Sequence, residues 1–272
     1  GGKAVLPQET GKPAKTTEKS NGMLIKKLDS GLTIIVEENH NAPLVSIQAW
    51  IGVGAADEAP GQSGMAHLFE HILFKGSKKR GMGEIARAVE AAGGDINAYT
   101  SHDETVYYIV MASPFFSEGL DIIADALINP IFDSAEIRKE LNVIADEEIK
   151  QSHDVPEQRL SDEIFALSYS KHPYGRRILG DPDTLKKITR DDIIRFHKEQ
   201  YRSDNMVVVV VGDVKAEKAA DEIEKAFIEL PGPDGAVAGR DREPEQADTR
   251  AKVVVLPLNE THLALSWKIP PL

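Results

Sequence analysis

Gly64-Met-Ala-His67-Leu-Phe-Glu70-His71-Ile-Leu-Phe74 carries two histidines and a glutamate in the order H-x-x-E-H. At about 100° per residue, a helix places His67 and His71 one turn apart on the same side, with Glu70 roughly 60° round from His67. Met65, Leu68, Phe69 and Ile72 cover the opposite side. Apolar residues behind and imidazoles in front describe a buried helix that faces a cleft. Two histidines at i and i+4 can hold one Zn²⁺ from a single helix, and a glutamate between them is placed to take a proton from water at the metal. The order is the inverted form of a zinc-peptidase helix motif.

A catalytic zinc site usually takes three protein ligands and keeps one position open. The chain has no cysteine, so a third ligand must be a histidine or a carboxylate. Of the remaining histidines, His40, His102, His153, His172, His197 and His262 lack paired spacing and read as surface or loop residues. Glu140-Leu-Asn-Val-Ile-Ala-Asp-Glu147-Glu148 is the carboxylate candidate. Glu140 and Glu147 are seven apart and share a face of a regular helix, while Glu148 points about 100° away from Glu147. On spacing alone, a solvated charged face is an equal reading of this run.

The rest of the 272 residues describes an ordinary globular chain, 41% hydrophobic and 28% charged. Its net charge of −12 argues against nucleic acid, which requires clustered Lys and Arg. The same charge is compatible with basic peptide substrates. No run of about 18 apolar residues is present, so no transmembrane segment is expected. The chain begins Gly1-Gly2, and a periplasmic or otherwise exported location is expected, with the cytoplasm as the alternative.

Composition divides the chain into a disordered arm (1–21), a folded domain (22–230), a Pro/Gly/charged linker (231–249) and the start of a second domain (250–272). Within the domain, strands are expected at 24–28, 32–37, 45–53, 96–100, 105–112 and 206–212, the last nearly all valine and read as buried on both faces. Helices are expected at 84–92, 113–128, 133–151, 156–166, 189–201 and 215–230. Residues 251–256 and 262–267 read as two further strands. Strands and helices do not alternate regularly, which indicates an α+β fold with helices packed on a mostly antiparallel sheet.

His67-Leu-Phe-Glu70-His71, followed 76 residues later by Glu147 with Glu140 seven before it, resembles the pitrilysin/insulinase family of zinc peptidases, to which the mitochondrial processing peptidase belongs. Gly93-Gly94-Asp-Ile-Asn97-Ala98-Tyr99-Thr100, His172-Pro-Tyr-Gly175 and Gly212-Asp213 agree with later landmarks of that family. The resemblance covers about Met23 to Leu230, the metal-bearing half of such enzymes. It implies a zinc-dependent endopeptidase or oligopeptidase with His67, His71 and Glu147 as ligands and Glu70 as general base. Glu140 would orient the site from behind the ligands, and Glu148 is a competitor for the third position, because family members differ by one residue in that spacing. Asn97, Ala98 and Tyr99 would form an edge strand to which a substrate peptide adds. The resemblance also implies a second homologous half, in the same longer chain or in a partner subunit, contributing an Arg and a Tyr. A non-catalytic scaffold or partner subunit of the same fold is the alternative function.

Overall fold

The computed structural model describes residues 16–20, 22–233 and 239–269, with the side chains of Ser20, Glu147, Lys150, Gln151 and His153 outside the described set. The expectations for residues 1–15, 21, 234–238 and 270–272 fall outside it as well.

Among the described residues, seven strands form one sheet. They are β1 (Thr16–Ser20), β2 (Met23–Lys27), β3 (Thr33–Glu38), β4 (Leu44–Ile51), β5 (Asp95–Thr100), β6 (Thr105–Ala112) and β7 (Met206–Gly212). Their spatial order is β1-β2-β3-β7-β4-β6-β5. Every neighbouring pair is antiparallel except β3 with β7. Helices pack on this sheet, so the fold is α+β and mostly antiparallel, as expected.

Two strand expectations need correction. Thr16–Ser20, placed in the arm by its polar composition, is an edge strand paired to β2 from Thr16↔Lys27 to Ser20↔Met23. Strand addition at an edge uses main-chain hydrogen bonds, so exposed polar side chains do not oppose it. In β7, Met206, Val208 and Val210 are buried while Val207, Val209 and Val211 are only half-buried. The helices cover one face of the strand, and the valine run reflects β propensity as much as burial.

The helices are α1 (Met65–Ile72), α2 (Glu84–Ala91), α3 (Phe116–Ile128), α4 (Ser134–Asn142), α5 (Ile149–Asp154), α6 (Pro156–Ser168), α7 (Pro182–Leu185), α8 (Arg190–Gln200) and α9 (Ala216–Ala226). α3 packs on β4 and β6, α9 on β2 and β3, and α1 on β5 and β6. Between α4 and α5, residues Val143–Glu148 form a π-helix. The long helix expected over 133–151 is therefore interrupted by a turn closed i→i+5, which takes one more residue than an α turn.

α1 is held underneath and at its start. Underneath, Phe69 is fully buried and its ring lies 5.0 Å from Tyr201, 5.1 Å from Phe196 and 5.5 Å from Phe132. Tyr201 and Tyr107, both fully buried, share a hydroxyl hydrogen bond of 2.6 Å. His197, read from the sequence as a surface residue, stacks on both Phe69 and Tyr201 and meets the Leu127 carbonyl at 2.7 Å through Nε2. At its start, α1 has no capping side chain of its own, because Gly64 occupies the cap at φ +90°. A side chain there is excluded twice over: the conformation is left-handed, and a Cβ would lie 2.9 Å from the Leu179 carbonyl oxygen. The cap comes instead from Glu58, whose carboxylate accepts from Gly64 N at 3.0 Å and Ala66 N at 2.9 Å. These amides are among those a helix start leaves unpaired. Burial pushes the Glu58 carboxyl up to about 8 despite these bonds.

Residues 239–269 run along the domain with no assigned strand. The stretch expected to be a linker is fastened: Arg240 binds Asp57 and Asp103, and the Glu243 carboxylate accepts from the backbone of Ser170, Lys171 and His172. The runs 251–256 and 262–267, expected as strands, lack sheet partners, and Val253, Val255, Leu263 and Trp267 are exposed. A strand requires a neighbour for its main-chain groups.

Truncating the ring beneath the helix should cost about 3–5 kcal/mol of stability, the usual price of a buried Phe→Ala change. Urea titration of F69A followed by far-UV circular dichroism checks this, and loss of less than about 1 kcal/mol would show that Phe69 does not anchor α1.

Candidate metal centre

His67, Glu70 and His71 emerge from one and a half turns of α1, on the side away from Phe69. The imidazole centroids of His67 and His71 are 4.8 Å apart. His67 Nε2 lies 3.9 Å from Glu70 Oε2. The two histidines and the intervening glutamate thus share the face that helical periodicity assigned to them.

The third element comes from α4 and the π-helix. Ligand atoms of His67, His71 and Glu148 all lie within 4.8 Å of one another. Glu148 Oε2 is 3.7 Å from His67 Nε2, and Glu148 Oε1 is 3.3 Å from His71 Nε2. Glu147, expected as the third ligand from regular α-helical spacing beyond Glu140, stands within the π turn over 143–148. The π turn delays the chain by one residue, so the position eight beyond Glu140 returns to its face. Glu148 is that position; the side chain of Glu147 lies outside the described set.

Glu140 is buried, with its Oε2 at 3.0 Å from His71 Nδ1 and its Oε1 at 2.8 Å from Lys75 Nζ. A carboxylate only accepts, so it fixes the proton of a neutral His71 on Nδ1 and leaves Nε2 facing Glu148. Burial alone would raise the Glu140 carboxyl, but Lys75 and His71 together bring it below the usual range. His67 is pushed down to about 4 by burial and then by His71, so its ring is neutral at pH 7. Burial raises Glu70, opposed in part by Thr100, which donates to it. A carboxyl shifted upward is a stronger base when ionised.

The donor set suits a zinc ion. Among the described residues, Glu148 Oε2 and His67 Nδ1 are both buried without a hydrogen-bond partner. Neutral imidazoles and a carboxylate within one ion's reach are the ligand types zinc takes. A buried carboxylate oxygen left unpaired is costly unless a cation satisfies it.

Asn97, Ala98 and Tyr99 lie on β5, which among the described residues pairs with β6 alone and forms the far edge of the sheet. α1 packs on this strand, and Thr100 Oγ1 points back to the Ala66 carbonyl at 3.4 Å. Asn97 and Tyr99 are exposed, and Tyr99 packs edge-on against Trp50. The Asn97 side chain accepts from Ala98 N at 2.8 Å.

Sequence reasoning passed over Glu58, Lys75 and Thr100. Lys75 stands four residues after His71, a detectable signal, but no motif singled it out. Glu58 lies between the strand expected at 45–53 and the histidine helix, and its role arises from a bond across six to eight residues that no periodicity reports.

The insulinase family, Peptidase family M16, matches residues 33–182, more than half of the chain, and the Peptidase M16 inactive domain matches residues 187–272. The probable mitochondrial-processing peptidase subunit beta of Arabidopsis thaliana is 32% identical over 206 residues, which cover 76% of this chain and 39% of that protein. The uncharacterized zinc protease YmxG of Bacillus subtilis is 33% identical over 198 residues, covering 73% of this chain and 48% of that protein. A protease from Helicobacter pylori has the same fold, with a TM-score of 0.77 at 28% identity over 88% of this chain and 56% of the other. The chain spans less than half the length of the two curated relatives. With more than half of its length matched and the H-x-x-E-H helix in place, the chain belongs to the insulinase family of peptidases, family M16.

Proposed function

We propose that this chain is the metal-bearing half of a zinc-dependent endopeptidase or oligopeptidase. The observation that carries the reading is that ligand atoms of His67, His71 and Glu148 lie within 4.8 Å of one another, with Glu70 beside them on α1. His67 and His71 would hold the ion through their imidazole nitrogens. The third ligand depends on the register of 143–148: a π turn presents Glu148, and a regular α-helix presents Glu147. When bound, zinc supplies Lewis-acid activation of water and of the scissile carbonyl.

The chain's own groups do the rest. Glu70 accepts the proton of the attacking water and passes it to the departing amine nitrogen. Its carboxyl stands on the same helix turn as the ligands, so base and ion keep a fixed separation. Glu140 keeps the His71 proton on Nδ1. The open edge of β5 supports an extended peptide by main-chain hydrogen bonds through Asn97, Ala98 and Tyr99, which suits sequence-tolerant cleavage.

The second half completes the reading. No helix among the described residues is long and apolar enough to cross a membrane. The exposed apolar rows after residue 250 instead suit a protein neighbour, supplied by a longer chain or by a partner subunit. Such a half would add the charge stabilisation that the tetrahedral intermediate requires.

Three results test this. Purified chain should bind about one zinc ion, and H67A or H71A should abolish binding. One of E147Q and E148Q, and not both, should lose the metal by equilibrium dialysis; retention by both variants would remove the carboxylate from the ligand set.

E70Q keeps the shape but cannot accept a proton. It should retain zinc and lose peptide hydrolysis by at least about 10²-fold. An active, zinc-loaded E70Q would exclude Glu70 as the base.

Residues 1–272 alone should bind zinc yet cleave an unstructured peptide on the order of 10²–10³-fold more slowly than a longer chain or a complex with the second half. Equal, vigorous turnover in both samples would show that the site is self-sufficient.

A further inference from the structure

Lys75 lies one turn beyond His71, at the end of the short 3-10 segment Leu73–Lys75 that follows α1. Its Nζ is 2.8 Å from Glu140 Oε1, and the other oxygen of that carboxylate is 3.0 Å from His71 Nδ1. Glu140 is 5% exposed, whereas the Lys75 side chain is 39% exposed. Three groups thus form a line from the surface to an imidazole of the metal centre.

The imidazole of His71 meets a carboxylate at each nitrogen. Nδ1 faces Glu140, and Nε2 faces Glu148 Oε1 at 3.3 Å. A neutral imidazole carries one proton, and the nitrogen that keeps it is decided by the better-placed acceptor. Proton on Nδ1 leaves the Nε2 lone pair available to a metal; proton on Nε2 withdraws it. The position of Glu140 therefore decides whether His71 is ready to ligate.

We propose that Lys75 is a positioning residue of the metal centre. By occupying Oε1 of Glu140 it aims Oε2 at Nδ1 of His71 and holds the imidazole in the tautomer whose Nε2 is free. This purpose rests on the zinc reading given above, but the tautomer exists without metal and can be read without it. Lys75 is the one cation paired with Glu140 among the described residues. With that cation removed, a carboxylate in a mostly buried setting has reason to rotate toward solvent and leave Nδ1. The ion pair is partly exposed, and such pairs contribute little to global stability. A change confined to His71 and to metal affinity therefore separates positioning from a scaffold role.

The test uses chelator-treated chain labelled with ¹⁵N-histidine, with His71 assigned by comparison with H71Q. Long-range ¹H–¹⁵N correlations report which ring nitrogen carries the proton. Wild-type His71 should show the Nδ1–H form. K75M, which keeps the aliphatic stem, should shift a substantial fraction to Nε2–H and lower zinc affinity by about 10-fold in a chelator competition, the low end for groups behind a ligand. K75R, which keeps a cation, should restore both. Should K75M fail to fold, K75Q reads the same two quantities. Wild-type tautomer and affinity in the neutral variants would overturn the proposal, and so would K75R behaving as K75M. If wild-type chain bound no zinc, the metal reading would fall, while the metal-free tautomer would still decide the part played by Lys75.

Discussion

The seating of α1 is the constraint on which the structure depends. Eight residues are too few for a stable helix in water, so its geometry is imposed by what surrounds it. One face must be apolar enough to bury against Tyr201, Phe196 and Phe132, and the other must present His67, Glu70 and His71 to a common point. Glu58 fixes the start of the helix through two backbone amides, and Glu140 meets the last histidine near its end. An ion held by side chains on one turn requires their separations to stay constant, and a helix clamped under, before and after the motif provides that.

The charges at the site are unbalanced by design of the chain alone. Glu70, Glu140 and Glu148 gather around two imidazoles, and the Lys75 ammonium is paired with one of the three. His67 is kept neutral by burial, so it offsets none of this negative charge. A divalent cation is the natural counterweight. The same arrangement accounts for the opposite fates of two carboxyls: Glu140, beside the lysine, is driven down after its burial cost is overcome, whereas Glu70, with Thr100 as its neutral donor, stays raised.

Much of this was legible in the sequence wherever the relevant spacing is local. His67, Glu70 and His71 follow from helical periodicity, β4 from alternation, and β5 and β6 from the turn His102-Asp103-Glu104 between them. Glu140 was found because it shares a helix face with the third-ligand region. The one-residue question between Glu147 and Glu148 could not be decided from spacing, because spacing assumes a regular helix and Val143–Glu148 form a π turn. β1 escaped notice because an edge strand of Thr, Glu, Lys and Ser has no apolar rhythm. Glu58 and His197 were misplaced for a related reason: each acts through a contact remote in sequence, with the start of α1 and with Phe69. The fastening of Arg240 to Asp57 and Asp103 is likewise invisible in a stretch whose composition reads as a linker.

The place of β7 in the sheet has a consequence for how the chain comes together. Among the described strands it is the last in sequence and the middle one in space, joined in parallel to β3 on one side and antiparallel to β4 on the other. Without it, the sheet is two separate three-stranded pieces, β1-β2-β3 and β4-β6-β5. The second piece carries α1, yet Tyr201, which closes the aromatic floor of that helix, arrives only five residues before β7. On a ribosome, the histidine helix would be synthesised some 130 residues ahead of the segment that stitches the halves and seals its underside. Assembly of the metal-binding face is thus tied to long-range closure, the slow kind of contact in folding.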